Sequence, residues 1–337
     1  MRILVTGYGG FLGKAICRQL LQAGHQVTGI ARQNYPEMRS LGIVTIQGDV
    51  RDRACLLKAC DQKDAVIHTA AKAGVWGSWR DYYEINTLAT KHLVDGCRQS
   101  GVPYLVHCSS PSVTFDGKPQ TGIDETVRYP TRWLCHYPHT KALAEQLVRA
   151  AHQPGVLATV ALRPHLIWGE GDPHLIPRII DRCQQKKLLR IGSGRNLIDT
   201  VHVENAAAAH LAALETLRLS PEKAGGKAYF ITDGEPIGCW DWISQLLNAA
   251  GLPIPTKRIS LNIAYLLGAA LEASYKLAGK SEEPPMTRFV AKQLGLDHYF
   301  SIEAARRDLG YQPRIDRKQV LAEMRPWFND LVKGSTK

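Results

Sequence analysis

The chain has 337 residues, 45% of them hydrophobic and 22% charged, enough to bury one large core and a smaller lobe. Its 42 basic and 31 acidic residues leave a formal charge of +11, which favours anionic ligands or surfaces. The basic residues are scattered, and no zinc-finger, basic-zipper or RNP pattern appears, which argues against nucleic-acid binding. Eight cysteines include no C-x-x-C pair and no histidine partner at metal spacing, so they read as reduced thiols of a cytoplasmic protein with no metal centre. The first residues enter a strand pattern without a secretory signal, and no apolar run reaches the roughly 18 residues of a membrane span.

Taken in chain order, short β-branched runs at 2–6, 26–31, 43–47, 65–68, 104–108 and 159–163 predict strands. Helical patterns at 11–23, 52–60, 79–99 and 136–152 separate them. This alternation predicts an α/β fold, a Rossmann-type doubly wound parallel sheet. Later runs at 198–203 and 227–231 read as strands returning to that sheet. Helices are predicted at 173–184, 204–216, 239–250, 261–277, 286–293, 302–309 and 318–332, broken by Gly and Pro. The expected organisation is a nucleotide-binding domain over 1–165, completed by segments near 198–217 and 227–232. A substrate lobe takes 166–197 and 233–337. The 261–277 helix reads as amphipathic, packed on its own domain.

The first strand ends in Thr6-Gly7, and Phe11-Leu12-Gly13 opens a helix. Gly7 and Gly10 let the backbone turn and approach a pyrophosphate, Gly13 allows close helix–strand packing, and the helix N-terminus supplies N–H groups. At the end of the second strand stands Arg32, where an NAD site would place an acid. A guanidinium suits the 2′-phosphate of NADP(H), although NAD(H) remains open. Asp49 and Val50 follow the third strand, with Asp49 a candidate acceptor for the adenine amino group. Ala70 and Ala71 follow the fourth, small enough to lie against a cofactor.

Ser109 and Ser110 end the fifth strand, and Tyr137 and Lys141 lie four residues apart on one helix face. A tyrosine acting near neutrality needs its pKa lowered by roughly 3 units, and an adjacent ammonium can supply part of that. A serine hydroxyl there can orient a substrate carbonyl for protonation by Tyr137. Trp76, Trp79, Tyr82, Trp133 and Trp168 are expected to border the cleft as aromatic walls for an apolar substrate. His136 and His139 flank the tyrosine but point off its face.

The set T-G-x-x-G-x-x-G, Ser-Ser, Y-x-x-x-K and Arg163-Pro164 resembles the extended short-chain dehydrogenase/reductases. Residues 70–77, 163–172, 226–236, 285–289 and 301–310 resemble its 3β-hydroxysteroid dehydrogenase-like branch. The resemblance implies that Ser110, three residues before Val113, is the catalytic hydroxyl, with Ser109 the fallback. It also implies that Asn86 supports the lysine region and that Arg163-Pro164 lies against the nicotinamide end. The implied activity is NADPH-dependent reduction of a hydrophobic 2-alkyl-3-oxoalkanoic acid to the 3-hydroxy acid, as in bacterial olefin biosynthesis. A lipid-like substrate would accord with transient contact with a membrane or a pathway enzyme. The implied assembly is a homodimer pairing helices 79–99 and 136–152 across a two-fold axis. An NAD-dependent 3β-hydroxysteroid-type dehydrogenase, a nucleotide-sugar epimerase or dehydratase, and a non-catalytic sensor are the competing readings.

Overall fold

Seven parallel strands form one sheet in the spatial order Ala228–Ile231, Ala158–Pro164, Tyr104–Cys108, Ala65–His68, Arg2–Thr6, Gln26–Ala31, Val44–Gln47. The computed structural model describes residues 1–334. The chain starts mid-sheet, so the strand order reverses between Arg2–Thr6 and Ala65–His68, and the crevice at such a switch point is where open α/β sheets bind ligands. Strand residues alternate between two buried faces, as parallel sheets require. Ile3, Val5, Ile67 and Val106 pack against the Phe11–Gln22 and Val203–Leu219 helices. Leu4, Val66 and Leu105 meet Leu56, Leu93 and Val148 on the helices of the other face.

Side-chain caps fix several helix starts. Asp52 accepts from Cys55 N–H, Ser260 from Ile263 N–H and Thr287 from Val290 N–H, each satisfying a donor that the first helical turn leaves free. The predicted 79–99 helix is instead an α-turn at Trp79–Tyr82, a π-helix at Tyr83–Leu88 and an α-helix at Ala89–Gln99. The predicted 318–332 helix breaks into Arg317–Glu323 and Arg325–Gly334, because Pro326 lacks the N–H that would continue it.

Three segments part from the expected organisation. Leu197–Ile198 pairs with Ile237–Gly238 and with the His298–Phe300 strand, in a second sheet that ends on Gln120–Ile123. Val201–His202 pairs with Ile167–Trp168, so the 198–203 run never reaches the main sheet. The Glu303–Leu309 helix buries Ala305 and Leu309 in the core of the nucleotide-binding body, although the sequence placed it in the lobe. The lobe has its own core of Trp168, Ile176, Ile180, Trp240, Trp242 and Phe328, among others.

Candidate active site

The turn after the first strand leaves Gly7 at φ +72°, a left-handed conformation costly for other residues. A Cβ on Gly13 would lie 2.2 Å from the Gly7 carbonyl oxygen, so only glycine allows this approach of helix to turn. Gly10 caps the helix with no side chain, and the first turn carries no acid. Its N–H groups therefore face a cavity of about 490 Å³, whose walls include Gly7, Gly10, Phe11, Leu12 and Gly13. An open helix N-terminus beside a backbone that no side chain fills fits a dinucleotide pyrophosphate.

The same cavity brings Ala71, Ser110, Tyr137, Lys141 and Pro164 together. Tyr137 stands in the first turn of the His136–Ala150 helix, and Ser110 starts the 3₁₀ turn Pro111–Thr114. The Ser110 hydroxyl accepts from Ser112 N–H and lies 2.9 Å from the Ser112 hydroxyl. It also hydrogen-bonds the Tyr137 phenol oxygen. Burial nevertheless pushes the phenol up to about 12 against that hydrogen bond.

The Lys141 ammonium is hydrogen-bonded to the end of the strand that precedes Ser109. Its Nζ donates to the Cys108 carbonyl at 2.6 Å and lies 3.4 Å from His107 Nε2. Burial lowers the ammonium's pKa and holds the His107 imidazole neutral, well below its usual range.

Ser109 turns the other way from Ser110. Its hydroxyl donates to Glu145 at 2.5 Å, and Tyr129 donates to the same carboxylate at 2.6 Å. Arg163 pairs with Glu145 and lies over the Phe230 ring. Arg163 is therefore removed from the nicotinamide end and only Pro164 reaches the cavity, a correction to the expectation for that pair. Opening this wall to Arg163 would break its ion pair with Glu145.

The remaining expected residues lie off the cavity wall. Arg51 grips the Asp49 carboxylate through backbone N–H, Nε and Nη2, so its acceptor sites are engaged within the protein. Val50 is buried beside Leu4 and Ile30, and Ala70 N–H donates to Thr6 Oγ1. Arg32 is exposed and adds to the positive field on Asp49. Asn86 sits on the π-helix and accepts from Lys72 N–H at 2.8 Å. It donates to the Lys72 carbonyl and to Thr140, one residue before Lys141, so it ties the 70–78 loop to the tyrosine helix.

The tryptophans are corrected as cavity walls. Trp168 is fully buried in the lobe core. Trp76 leans on Tyr275 and donates to the Lys280 carbonyl. Trp79 stacks on Tyr83 at the surface, in contact with His136 and His139, and His139 stacks on Trp133. The apolar walls are instead Val75, Pro111, Leu166, Ile167, Phe289 and Phe300. Gln120, His165, Gln293 and His298 add polar groups. Gln120, His298 and Phe300 were missed because they converge through strands of only four and three residues, Gln120–Ile123 and His298–Phe300. Asp172 also lines the wall, but its carboxylate caps its own helix through the N–H groups of His174, Leu175 and Ile176.

The chain is similar to known proteins along nearly its whole length. The chain is 44% identical to a 2-alkyl-3-oxoalkanoate reductase of Shewanella oneidensis, over 95% of this chain and 84% of that one. It is 45% identical to a 2-alkyl-3-oxoalkanoate reductase of Stenotrophomonas maltophilia, over 96% and 98%. Among solved structures, MoeE5 in complex with UDP-glucose and NAD superposes with a TM-score of 0.74 at 25% identity, covering 98% of this chain and 99% of that one. The family model described as 3-beta hydroxysteroid dehydrogenase/isomerase matches residues 4–263, and the chain belongs to that family of extended short-chain dehydrogenase/reductases.

Proposed function

We propose that this enzyme reduces the ketone of a hydrophobic 2-alkyl-3-oxoalkanoic acid to the 3-hydroxy acid, with NADPH as reductant and Tyr137 as proton donor. The chain is an oxidoreductase using a nicotinamide dinucleotide; the substrate, NADPH and the tyrosine step are our reading. The observation that carries it is the composition of the cavity beyond Tyr137. Lys141 is the only lysine or arginine on its wall among the described residues, and the one carboxylate, Asp172, is consumed by its own helix. A uridine diphosphate would demand cationic and polar partners there, whereas an alkyl chain gains about 0.8 kcal/mol for each methylene removed from water. The two curated reductases carry this substrate class in their names.

The bound cofactor supplies the hydride that reaches the ketone carbon. This chain's part is to hold the carbonyl oxygen and protonate it. A phenol held up at about 12 keeps its proton at neutral pH, which suits donation to the alkoxide formed at C3. Ser110 orients the same oxygen, and Lys141 keeps a buried positive charge beside the Cys108 carbonyl, favouring the developing negative charge. Gly7, Gly10 and the N–H groups of the Phe11–Gln22 helix would receive the pyrophosphate.

The test is a panel with NADPH running from short β-keto acids to long 2-alkyl homologues, beside UDP-glucose and a 3β-hydroxysteroid. We expect kcat/KM to rise steeply with acyl length until the cavity is filled. Preference for the sugar nucleotide or the steroid would overturn the substrate reading.

A further inference from the structure

A further hydroxyl, that of Ser112, stands at the reacting end of the cavity. It follows Pro111 in the 3₁₀ turn Pro111–Thr114, half-buried, on the same wall as Ser110 and Tyr137. The turn is fastened from both sides. Pro111 has no N–H to compete for the Ser110 oxygen, and its ring presets the first turn. Thr114 donates to the Pro111 carbonyl, and Gln120 donates to the Thr114 carbonyl and hydroxyl. Val113, Thr114 and Phe115 are buried. Ser112 is thereby fixed beside Ser110, hydroxyl to hydroxyl at 2.9 Å, while its N–H reaches the same Ser110 oxygen at 3.3 Å. Among the described residues the Ser112 hydroxyl has no other hydrogen-bond partner.

We propose that Ser112 is a positioning residue for the reduction: its hydroxyl donates to Ser110 and so turns the single Ser110 hydrogen toward Tyr137 and the substrate carbonyl. This rests on the reading of Tyr137 as proton donor and of Ser110 as its partner. A serine hydroxyl has one hydrogen to give and two lone pairs that accept. Tyr137 directs its own hydrogen to the alkoxide, so in the reacting complex it does not give it to Ser110. Once that proton has left, the phenolate only accepts. At both stages the Ser110 hydrogen is needed on the side of the tyrosine and the substrate. Ser110 then meets Ser112 only as an acceptor, and the hydrogen between the two serines belongs to Ser112.

The N–H and O–H of Ser112 together occupy both lone pairs of the Ser110 oxygen, which leaves Ser110 a donor only. The hydrogen bond from Ser110 lowers the phenol, the sign that donation to a phenolate carries. A donor that itself accepts is polarised, and the bond it gives is strengthened. With the Ser112 hydroxyl removed, the N–H alone would leave one lone pair open. The phenol of Tyr137 could then donate into it, away from the substrate, and the Ser110 hydrogen could turn aside. Ser109 offers no substitute, because its hydroxyl is held by Glu145.

The experiment is a double-mutant cycle on the full chain with S112A, S110A and the combined variant. Single-turnover rate and half-saturating substrate concentration are measured with saturating reduced nicotinamide cofactor. The substrate is the fastest-reduced member of a panel of 2-alkyl-3-keto acids, 3-oxosteroids and 4-keto sugar nucleotides. A wrong acid assignment then shows in the panel and leaves the cycle readable. S112A should slow the single turnover about fivefold, the scale of one neutral hydrogen bond, and move half-saturation less than about twofold. In the S110A background the same change should slow turnover no further, because the hydroxyl it orients is gone. S112T keeps a hydroxyl and should retain at least about half of the native rate, whereas S112V, of the same shape, should fall with S112A. An unchanged rate in S112A, losses that multiply in the combined variant, or S112T as slow as S112V would overturn the proposal. A slow S110A beside a native S112A defeats the positioning role alone. A native rate in S110A defeats the Ser110 reading and the proposal with it.

Discussion

Glu145 and Arg163 form a closed ion pair directly behind the carboxyl end of the Tyr104–Cys108 strand, with Nε to Oε2 at 3.0 Å and Nη2 to Oε1 at 2.6 Å, and side-chain exposures of 0% and 1%. Ser109 completes the carboxylate at 2.5 Å, so one buried charge fixes the residue between the Cys108 carbonyl that holds Lys141 and the Ser110 hydroxyl that meets Tyr137. The pair is the joint between the tyrosine helix and the strands beneath it.

Glu145→Gln leaves the Arg163 charge buried without its partner, which typically costs about 3–5 kcal/mol; urea denaturation should read that loss. Burial opposes ionisation of Glu145, but Arg163 and the hydrogen bonds from Arg163, Ser109 and Tyr129 outweigh it, and its carboxyl is held below the ordinary range. A lowered acid pKa stabilises the fold above the unfolded value near 4.3 and is lost as pH falls through the folded one. The native protein should therefore lose stability on that acid side, and the Gln variant should lack this component. An acid limb unchanged in the variant would count against the assignment.

The sheet was legible because its strands are local β-branched runs. The boundaries at Arg2–Thr6, Gln26–Ala31, Ala65–His68 and Tyr104–Cys108 coincide with the runs themselves. The glycine turn and the Tyr137–Lys141 spacing are local too, and one cavity gathers them. What depends on distant partners was hidden. The hydrogen bond from Lys141 to the Cys108 carbonyl depends on side-chain direction, which the spacing alone does not give. Arg163 reads as a site residue at a strand end, yet its partner lies on another element. Trp168 looks like a cleft wall until the lobe core closes over it. His298–Phe300 has too few residues to announce a strand, and pairs with Gln120–Ile123 far back in the chain.

Tyr137→Phe should cut turnover of the keto acid at least about 100-fold, the scale of lost general acid catalysis, with cofactor affinity nearly unchanged. Ser110→Ala should also slow turnover, because it removes the side-chain hydrogen bond that favours Tyr137 ionisation and orients the oxygen. Single-turnover rates with NADPH and fluorescence titration of the cofactor separate the two effects. Near-normal turnover by Tyr137→Phe would remove the tyrosine from the mechanism.

Arg32 stands exposed after the second strand, and among the described residues its guanidinium has no hydrogen-bond or ion-pair partner, Gln47 donating to its backbone carbonyl. If its guanidinium receives the 2′-phosphate, Arg32→Ala should weaken NADPH by roughly 1.5–3 kcal/mol, the range for charged hydrogen bonds, and leave NADH nearly unaffected. Calorimetric titration of both cofactors checks this. Equal affinities in the unaltered protein would refute the preference.

Trp79 and Tyr83 are each 37% exposed and stack at 5.7 Å. Trp79 also touches His136 and His139, while Trp133 stacks on His139, so the aromatic patch bridges the π-helical segment and the tyrosine helix. Leu88, Leu143 and Leu147 lie half-buried along the same two elements. Large aromatic side chains near the centre of a contact commonly contribute 2 kcal/mol or more to association, and two-fold dimers are the commonest oligomers. We expect a homodimer through this face. Light scattering at micromolar concentration should give twice the chain mass. Trp79→Ala with Tyr83→Ala should weaken association at least about 30-fold and reveal monomer on dilution. A native protein that runs as a monomer would leave the aromatic patch without this role.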